Sequence, residues 1–417
     1  MSTSLKILLA TYWYIPHLGG VWPLMCQIKE GLESLGHDVD ILGNCQDGSG
    51  YHIVNKNLVI KKDRLLPMLQ TTLYPKLSHE KNTDQTGNNL EADRYYMEHA
   101  AAYFGLEQYD IIHTQDVIST RCLSRVKPKK TPLFASIHGA IAREVIQFYK
   151  FTNPKATIQE IKKTPYWRHY WALEQLGTSS ADLIHTSTQW TKNILIKDNN
   201  VSENRIVTFP YGINIQKFLE KMNKQPDIVR PPEKKVIIYT GRLIQLKGVY
   251  LLIDALSKLK KVRNDWVCWV VGEGDMKNKL QNQSAHLGLN DNVKFLGARD
   301  DVPALLNQSD IFVLPSLQDN MPLSLIEAQI AGNAVVISNA GGMPEMVQHG
   351  QTGLVFPSGE SDPMFHHLNN LLENDHLRKT IAFNTRQWAS KYWSIYRMTD
   401  QLLTIYRNLI SNANAAK

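Results

Sequence analysis

Short apolar runs alternate with amphipathic helical patterns along nearly the whole of this 417-residue chain. A strand buried on both faces must be apolar throughout, and its parallel neighbour is reached only through a crossover helix. The alternation therefore specifies βαβ units wound around parallel sheets. The expected strands of the first half are residues 6–11, 38–42, 111–114, 133–137, 182–186 and 205–209. Those of the second half are 235–240, 266–271, 293–296, 311–314, 334–338 and 354–356. Between the two series, Gly212, Pro226, Pro231 and Pro232 fall in a charged stretch without sustained apolar period, which reads as a linker. The expectation is an α/β protein of two doubly wound, Rossmann-like domains facing a cleft. Residues 1–212 form the first domain, 213–232 the linker and 233–390 the second domain. An amphipathic helix within 391–417 packs back on the first. Residues 44–80 read as irregular and 80–93 as a polar, mobile loop before a helix at 93–104.

Length and composition allow two soluble domains: 43% of residues are hydrophobic and 20% charged. Four scattered cysteines with no C-x-x-C pair make neither a disulfide framework nor a zinc site, and fit a reducing compartment. No leader pattern and no run of membrane-spanning length is seen, so the expected location is cytoplasmic. The net charge is +7; residues 1–230 hold 27 Lys/Arg and 22 Asp/Glu, so +5 of it lies there. A basic first half is compatible with peripheral association at an anionic membrane. Nucleic acid is not an expected partner, because no recognised binding motif accompanies the charge.

The most informative stretch is 315–331. Asp319 and Glu327 stand eight residues apart, after one apolar strand and at the start of an apolar helix. Such a turn lies at the carboxyl edge of a parallel sheet, where open α/β folds bind ligands, and it aims helix N-terminal amides outward. The stretch can thus offer two carboxylates with backbone donors between them, at Asn320, Met321, Leu323 and Ser324. That suits a ligand with hydroxyls at both ends and phosphates in the middle.

Other strand-end turns point the same way. Gly241 and Arg242 follow the first strand of the second half, with Lys247 and Gly248 further along the loop. Arginine can clamp phosphate oxygens as a fork, and lysine adds a compact charge. Gly19 and Gly20 follow the first strand of the chain, Gly272 follows another, and Gly341 and Gly342 a third. Each exposes amides, and each is commonplace alone. His138, followed by glycine, ends a buried strand and is better placed than His113 to face a ligand. There is no P-loop, no G-x-G-x-x-G dinucleotide fingerprint, no nucleophile elbow and no convincing metal site.

In family order, these motifs resemble the retaining glycosyltransferases of family 4 (glycosyl transferases group 1), which have the GT-B fold. The carrying residues are Gly19-Gly20, His138-Gly139, Gly241-Arg242 with Lys247-Gly248, Gly272, and Asp319 with Glu327. Gly341, Gly342, Pro344 and Glu345 complete the series. The resemblance implies that Arg242 and Lys247 hold the donor diphosphate and that Glu327 accepts from ribose hydroxyls. It implies that Asp319, where the family usually has Glu, contacts the donor sugar, as does His138. Gly20 would bring its amide to phosphates or acceptor, and Ala298 and Arg299 would lie by the nucleobase.

The expected function is transfer of a sugar, retaining its anomeric configuration, from a nucleotide sugar, UDP-glucose favoured, to an unknown hydroxyl acceptor. A lipid-linked or cell-surface glycan precursor fits the acceptor role. No metal or other cofactor is expected beyond the donor itself. A sugar-nucleotide 2-epimerase and a non-catalytic nucleotide-sugar-binding subunit are the alternatives.

Overall fold

The computed structural model describes residues 4–17, 19–72 and 85–415, with backbone alone for 70–72 and 85–93. The chain divides into two compact units. The first comprises residues 1–187, 191–209 and 396–417; the second comprises 188–190 and 210–395.

The first unit is built on an eight-stranded sheet. Its strands are β1 (Lys6–Ile15), β2 (Asp38–Cys45), β3 (Gly50–Ile53), β4 (Leu58–Lys61), β5 (Ile111–Thr114), β6 (Leu133–Ile137), β7 (Leu183–Thr186) and β8 (Ile206–Thr208). Their order is β4-β3-β2-β1-β5-β6-β7-β8. All pairs are parallel except β2–β3 and β3–β4, which form an antiparallel edge. This edge corrects the expectation of irregular chain at 44–80 as far as residue 72, since the helix Lys62–Thr72 also forms. Both edge strands are only four residues long, and Leu58 and Val59 are exposed on β4. Residues 85–93 are helical, within Gln85–Phe104, rather than loop; residues 73–84, which both expectations also cover, lie outside the described part.

The second unit holds six parallel strands: β9 (Lys235–Thr240), β10 (Trp266–Val271), β11 (Val293–Gly297), β12 (Ile311–Leu314), β13 (Ala334–Ser338) and β14 (Leu354–Phe356). The order is β11-β10-β9-β12-β13-β14. Strands β10, β12 and β13 are buried at every position. Each large aliphatic side chain so buried contributes about 1.5–3 kcal/mol. The helix Ile215–Met222, in the stretch read as a linker, counts with this unit. The last helix, Ile395–Ala415, counts with the first unit from Tyr396 onward.

Strand order locates a ligand crevice in each unit without reference to any motif. An open α/β sheet binds at the carboxyl ends where the strand order reverses. In the first unit that point lies between β1 and β5. In the second it lies between β9 and β12, so the loops flanking it are 241–248 and 315–322.

Candidate active site

The loops flanking the second switch point carry the sequence-identified residues of that unit. Gly241 and Arg242 leave β9, and Lys247 ends a short 3-10 turn, Gln245–Lys247. Asp319 lies beyond β12. Lys247 Nζ stands 2.5 Å from Asp319 Oδ2, and both side chains are largely buried. Ser316 Oγ donates to the same carboxylate oxygen at 3.1 Å. Arg242 differs: it is exposed, and its guanidinium meets no acceptor among the described residues.

The turns are laced to one another, which holds these groups rigidly. Gly241 N donates to Val271 O at 3.0 Å, and Gly272 N to Gly297 O at 2.8 Å. Gly342 N donates to Asp319 O at 2.9 Å. Glycine is required at 341: its φ is +60°, and a Cβ there would lie 1.7 Å from Asp319 O. Gly272 likewise, at φ +141°, leaves only 1.9 Å between an added Cβ and Gly241 O.

The helix Leu323–Ala331 begins after Pro322, and no side chain caps it. The amides of Met321, Leu323 and Ser324 find no acceptor among the described residues. Unsatisfied N–H groups at a helix start form an anion site. One turn further on, Glu327 is half-buried and receives no hydrogen bond or ion pair among the described residues. Burial pushes its carboxyl up to about 7, against the opposing pull of the Lys221 cation.

Three assignments change in character. The Asn320 side chain is buried, its Oδ1 accepting from Thr188 Oγ1. The Met321 side chain is also buried, and its Sδ accepts from Tyr211 N at 3.4 Å. What these two residues can offer a ligand is backbone, not side chain. Arg299, beyond β11, is committed to ion pairs with Asp301 and Asp227. Those carboxylates hold its guanidinium firmly protonated, so its charge is already engaged. Ala298 beside it is exposed.

In the first unit, Gly19 and Gly20 follow β1, and Gly20 starts the helix Val21–Ser34. Gly20 has an ordinary right-handed conformation, φ −66°, and open space where a Cβ would stand. Its use is therefore free approach, not unusual backbone. His138 follows β6, and its Nε2 lies 3.0 Å from Gln115 Oε1. Burial, with His185 nearby, lowers His138 to about 3, so the imidazole is neutral near pH 7. Sequence alone does not single out Gln115, although it directly follows β5 at the switch point. Its Nε2 is buried without a partner among the described residues.

His113 is a core residue. Tyr406 Oη lies 2.7 Å from its Nδ1 and Ser136 Oγ 2.7 Å from its Nε2. Ser136 Oγ is also 2.9 Å from His185 Nδ1, and His185 Nε2 is 2.8 Å from Phe209 O. A carbonyl only accepts, so the chain has one direction. His185 donates to it, Ser136 to His185, His113 to Ser136, and Tyr406 to His113. Among the described residues no group of three or more His, Cys, Asp or Glu side chains is arranged to hold a metal.

Comparison with known proteins bears on the family and the fold. The family model Glycosyltransferase Family 4 matches residues 18–217, and Glycosyl transferases group 1 matches 220–388. An uncharacterized glycosyltransferase of Methanocaldococcus jannaschii is 26% identical over 414 residues, covering 97% of this chain and 98% of its own. The Escherichia coli UDP-Gal:alpha-D-GlcNAc-diphosphoundecaprenol alpha-1,3-galactosyltransferase is 25% identical, covering 73% of this chain and 77% of its own. The crystal structure of Anabaena HepE with UDP and glucose superposes with a TM-score of 0.68 at 19% identity, covering 97% of this chain and all of that one. A strand order that puts two cations and an open helix start at one switch point, and family models that together span both units, make this chain a member of the glycosyl transferases group 1 with the GT-B fold.

Proposed function

We propose that the protein transfers a hexose from a nucleoside-diphosphate sugar, UDP-glucose or a close relative, with retention of anomeric configuration and no metal in the chemical step. Glycosyl transfer from nucleotide sugars is the family's chemistry; the donor, stereochemistry and metal independence are our reading. The observation that carries it is a set of unsatisfied groups on one unit. The Arg242 guanidinium and the amides of Met321, Leu323 and Ser324 lack acceptors, and the Glu327 carboxylate lacks donors, among the described residues. Phosphates supply acceptors to the first set, and a ribose diol supplies donors to the last. A UDP donor is supported by the UDP-Gal in the E. coli relative's name and by the UDP bound to HepE.

In this reading the bond between the sugar C1 and the diphosphate oxygen breaks as positive charge builds on the ring. Arg242, Lys247 and the helix amides stabilise the departing diphosphate; fixed charges and dipoles of this kind usually supply most of an enzyme's rate enhancement. The acceptor oxygen bonds to C1 from the face the diphosphate leaves, and the acceptor proton passes to the leaving phosphate. Arg242 and Lys247 take the charge-neutralising part that a divalent ion plays elsewhere. Asp319 holds Lys247 in place and meets the donor sugar. Gly19 and Gly20 serve the phosphates or the acceptor, and the neutral His138 meets the donor sugar. The E. coli relative's diphosphoundecaprenol substrate supports a lipid-linked acceptor and work at a membrane surface. No described helix is long and apolar enough to cross a membrane, so the association would be peripheral.

The test is a donor screen. UDP- and GDP-sugars are incubated with the purified chain and nucleotide release is followed with and without EDTA. Release from one donor that survives EDTA and drops sharply in Lys247→Ala supports the reading. Absence of nucleotide binding to any donor overturns it. Isomerised donor without release would instead mark an epimerase.

A further inference from the structure

Three consecutive helices of the first unit, Ile141–Thr152, Ile158–Lys163 and Pro165–Ser180, carry an unusual surface. Phe148 is 55% exposed, Ile158 49%, Trp171 40%, and Phe151 and Tyr166 39% each. Water-facing aromatics so concentrated are uncommon on a free surface and mark an interaction site. The rings are continuous. Phe148 meets Tyr149 at 6.3 Å between centroids, Tyr149 meets Tyr166 at 6.2 Å, and Tyr166 meets Tyr170 at 4.9 Å. Trp167 and Trp171 stack at 5.9 Å with 15° between their planes.

Cations are interleaved with the rings. Residues 143–168 hold six Lys/Arg and two Glu, a net +4 by 6 − 2. Lys162 Nζ lies over the Trp167 ring, 5.5 Å from its centroid. Lys150, Lys155, Lys162, Lys163 and Arg168 make no ion pair with any described acid. Glu160 is spent locally, accepting from Thr157 N at 2.7 Å in a capping box. The surface therefore presents uncompensated positive charge beside exposed rings.

We propose that this surface docks the protein on an anionic lipid bilayer, the lysines and Arg168 meeting phosphate headgroups while Phe148, Phe151 and Trp171 enter the interface. Aromatic rings favour the headgroup level, and basic side chains beside them add attraction to anionic lipid. The charge fits an anionic surface, and the absence of competing ion pairs leaves it available. The inference deepens the reading of a lipid-linked acceptor and rests on it only for purpose, since the docking is measurable without turnover.

The experiment is flotation of the full-length protein with vesicles of phosphatidylcholine alone or with 30% phosphatidylglycerol, where roughly one lipid in three is then anionic. The wild type is expected to float with the anionic vesicles alone and to be partly released by 0.5 M salt, about where screening falls to a few ångströms. Phe148→Ser with Phe151→Ser should weaken binding about tenfold or more, as expected for rings withdrawn from the interface. Lys162→Glu with Lys163→Glu should also release it. Unchanged melting temperatures show that the variants remain folded. Failure of the wild type to bind anionic vesicles overturns the proposal, and so does binding indifferent to the Phe pair. A protein partner would appear as the former outcome. UDP binding measured on the same samples separates the two readings. A wild type that binds UDP but not anionic vesicles overturns the docking surface alone, whereas one that binds vesicles but no nucleotide overturns the transferase reading alone.

Discussion

Lys247 Nζ lies 2.5 Å from Asp319 Oδ2, so the loop after β9 and the loop after β12 are joined by an ion pair at the switch point of the second sheet. The cation that would meet a diphosphate is thus already held by an acid. That acid fixes its direction and competes with phosphate for it. Lys247→Ala should lower turnover by about 10²–10³-fold, the loss typical of one charge-stabilising donor. Asp319→Asn should leave UDP affinity equal or higher while turnover falls. Calorimetry and a nucleotide-release assay check both halves, and a drop in UDP affinity for Asp319→Asn would refute the competition.

Glu327 supplies a pH signature. Its carboxyl is raised to about 7, and hydrogen bonds from ribose hydroxyls favour the ionised form. UDP affinity should therefore rise with pH through 7 and level off above it. Glu327→Gln should bind more weakly at pH 8 and show a flatter profile. Titrations from pH 6 to 8.5 read this directly; a profile unchanged by the substitution would remove Glu327 from the ribose role.

Glu174 gives a stability signature of its own. It is 4% exposed, and its Oε1 accepts from Ala142 N at 3.1 Å, at the start of the helix Ile141–Thr152. Burial raises it to about 7, against the pull of those backbone donors and of Asn199. The folded carboxyl holds a proton that the unfolded one releases above about 4.5, so stability from this group falls as pH rises from there to 7. Glu174→Gln should gain on the wild type over that window and hold its advantage above it. Thermal unfolding at pH 5, 6, 7 and 8 measures the difference.

Histidines act in the opposite sense. Burial lowers His138 to about 3 and His185 to about 4, and drives His113 well down. Each must charge on acid unfolding, so stability is lost as pH falls below about 6.5, the unfolded value. Within this chain of bonds Tyr406 is the terminal donor to His113. Tyr406→Phe leaves His113 Nδ1 buried and unsatisfied, at a cost of about 1–3 kcal/mol. Denaturant unfolding should show that loss while UDP affinity stays unchanged.

Much of this protein is legible before folding. A parallel strand buried on both faces is a local run of Val, Ile and Leu, so all six strands of the second sheet and six of the first are readable from sequence. The positions of Arg242, Lys247 and Asp319 are likewise readable, because loops that follow such runs lie at the sheet's carboxyl edge, and Glu327 stands on the helix that the last of these loops opens. The hairpin edge β3–β4 is not, since each strand is four residues long and is held by antiparallel pairing, β3 to β2 and β4 to β3. Which charges remain available depends on three dimensions. Arg242 and Arg299 look equivalent as residues after a strand-end glycine. Yet Asp227, 72 positions away, together with Asp301 claims Arg299, while nothing described claims Arg242. Pairing of that kind depends on distances across the fold, which no local pattern encodes. Local pattern thus dictates where the strands end and which charges stand there. Only the folded chain divides those charges into the ones spent on the protein and the ones left for a ligand.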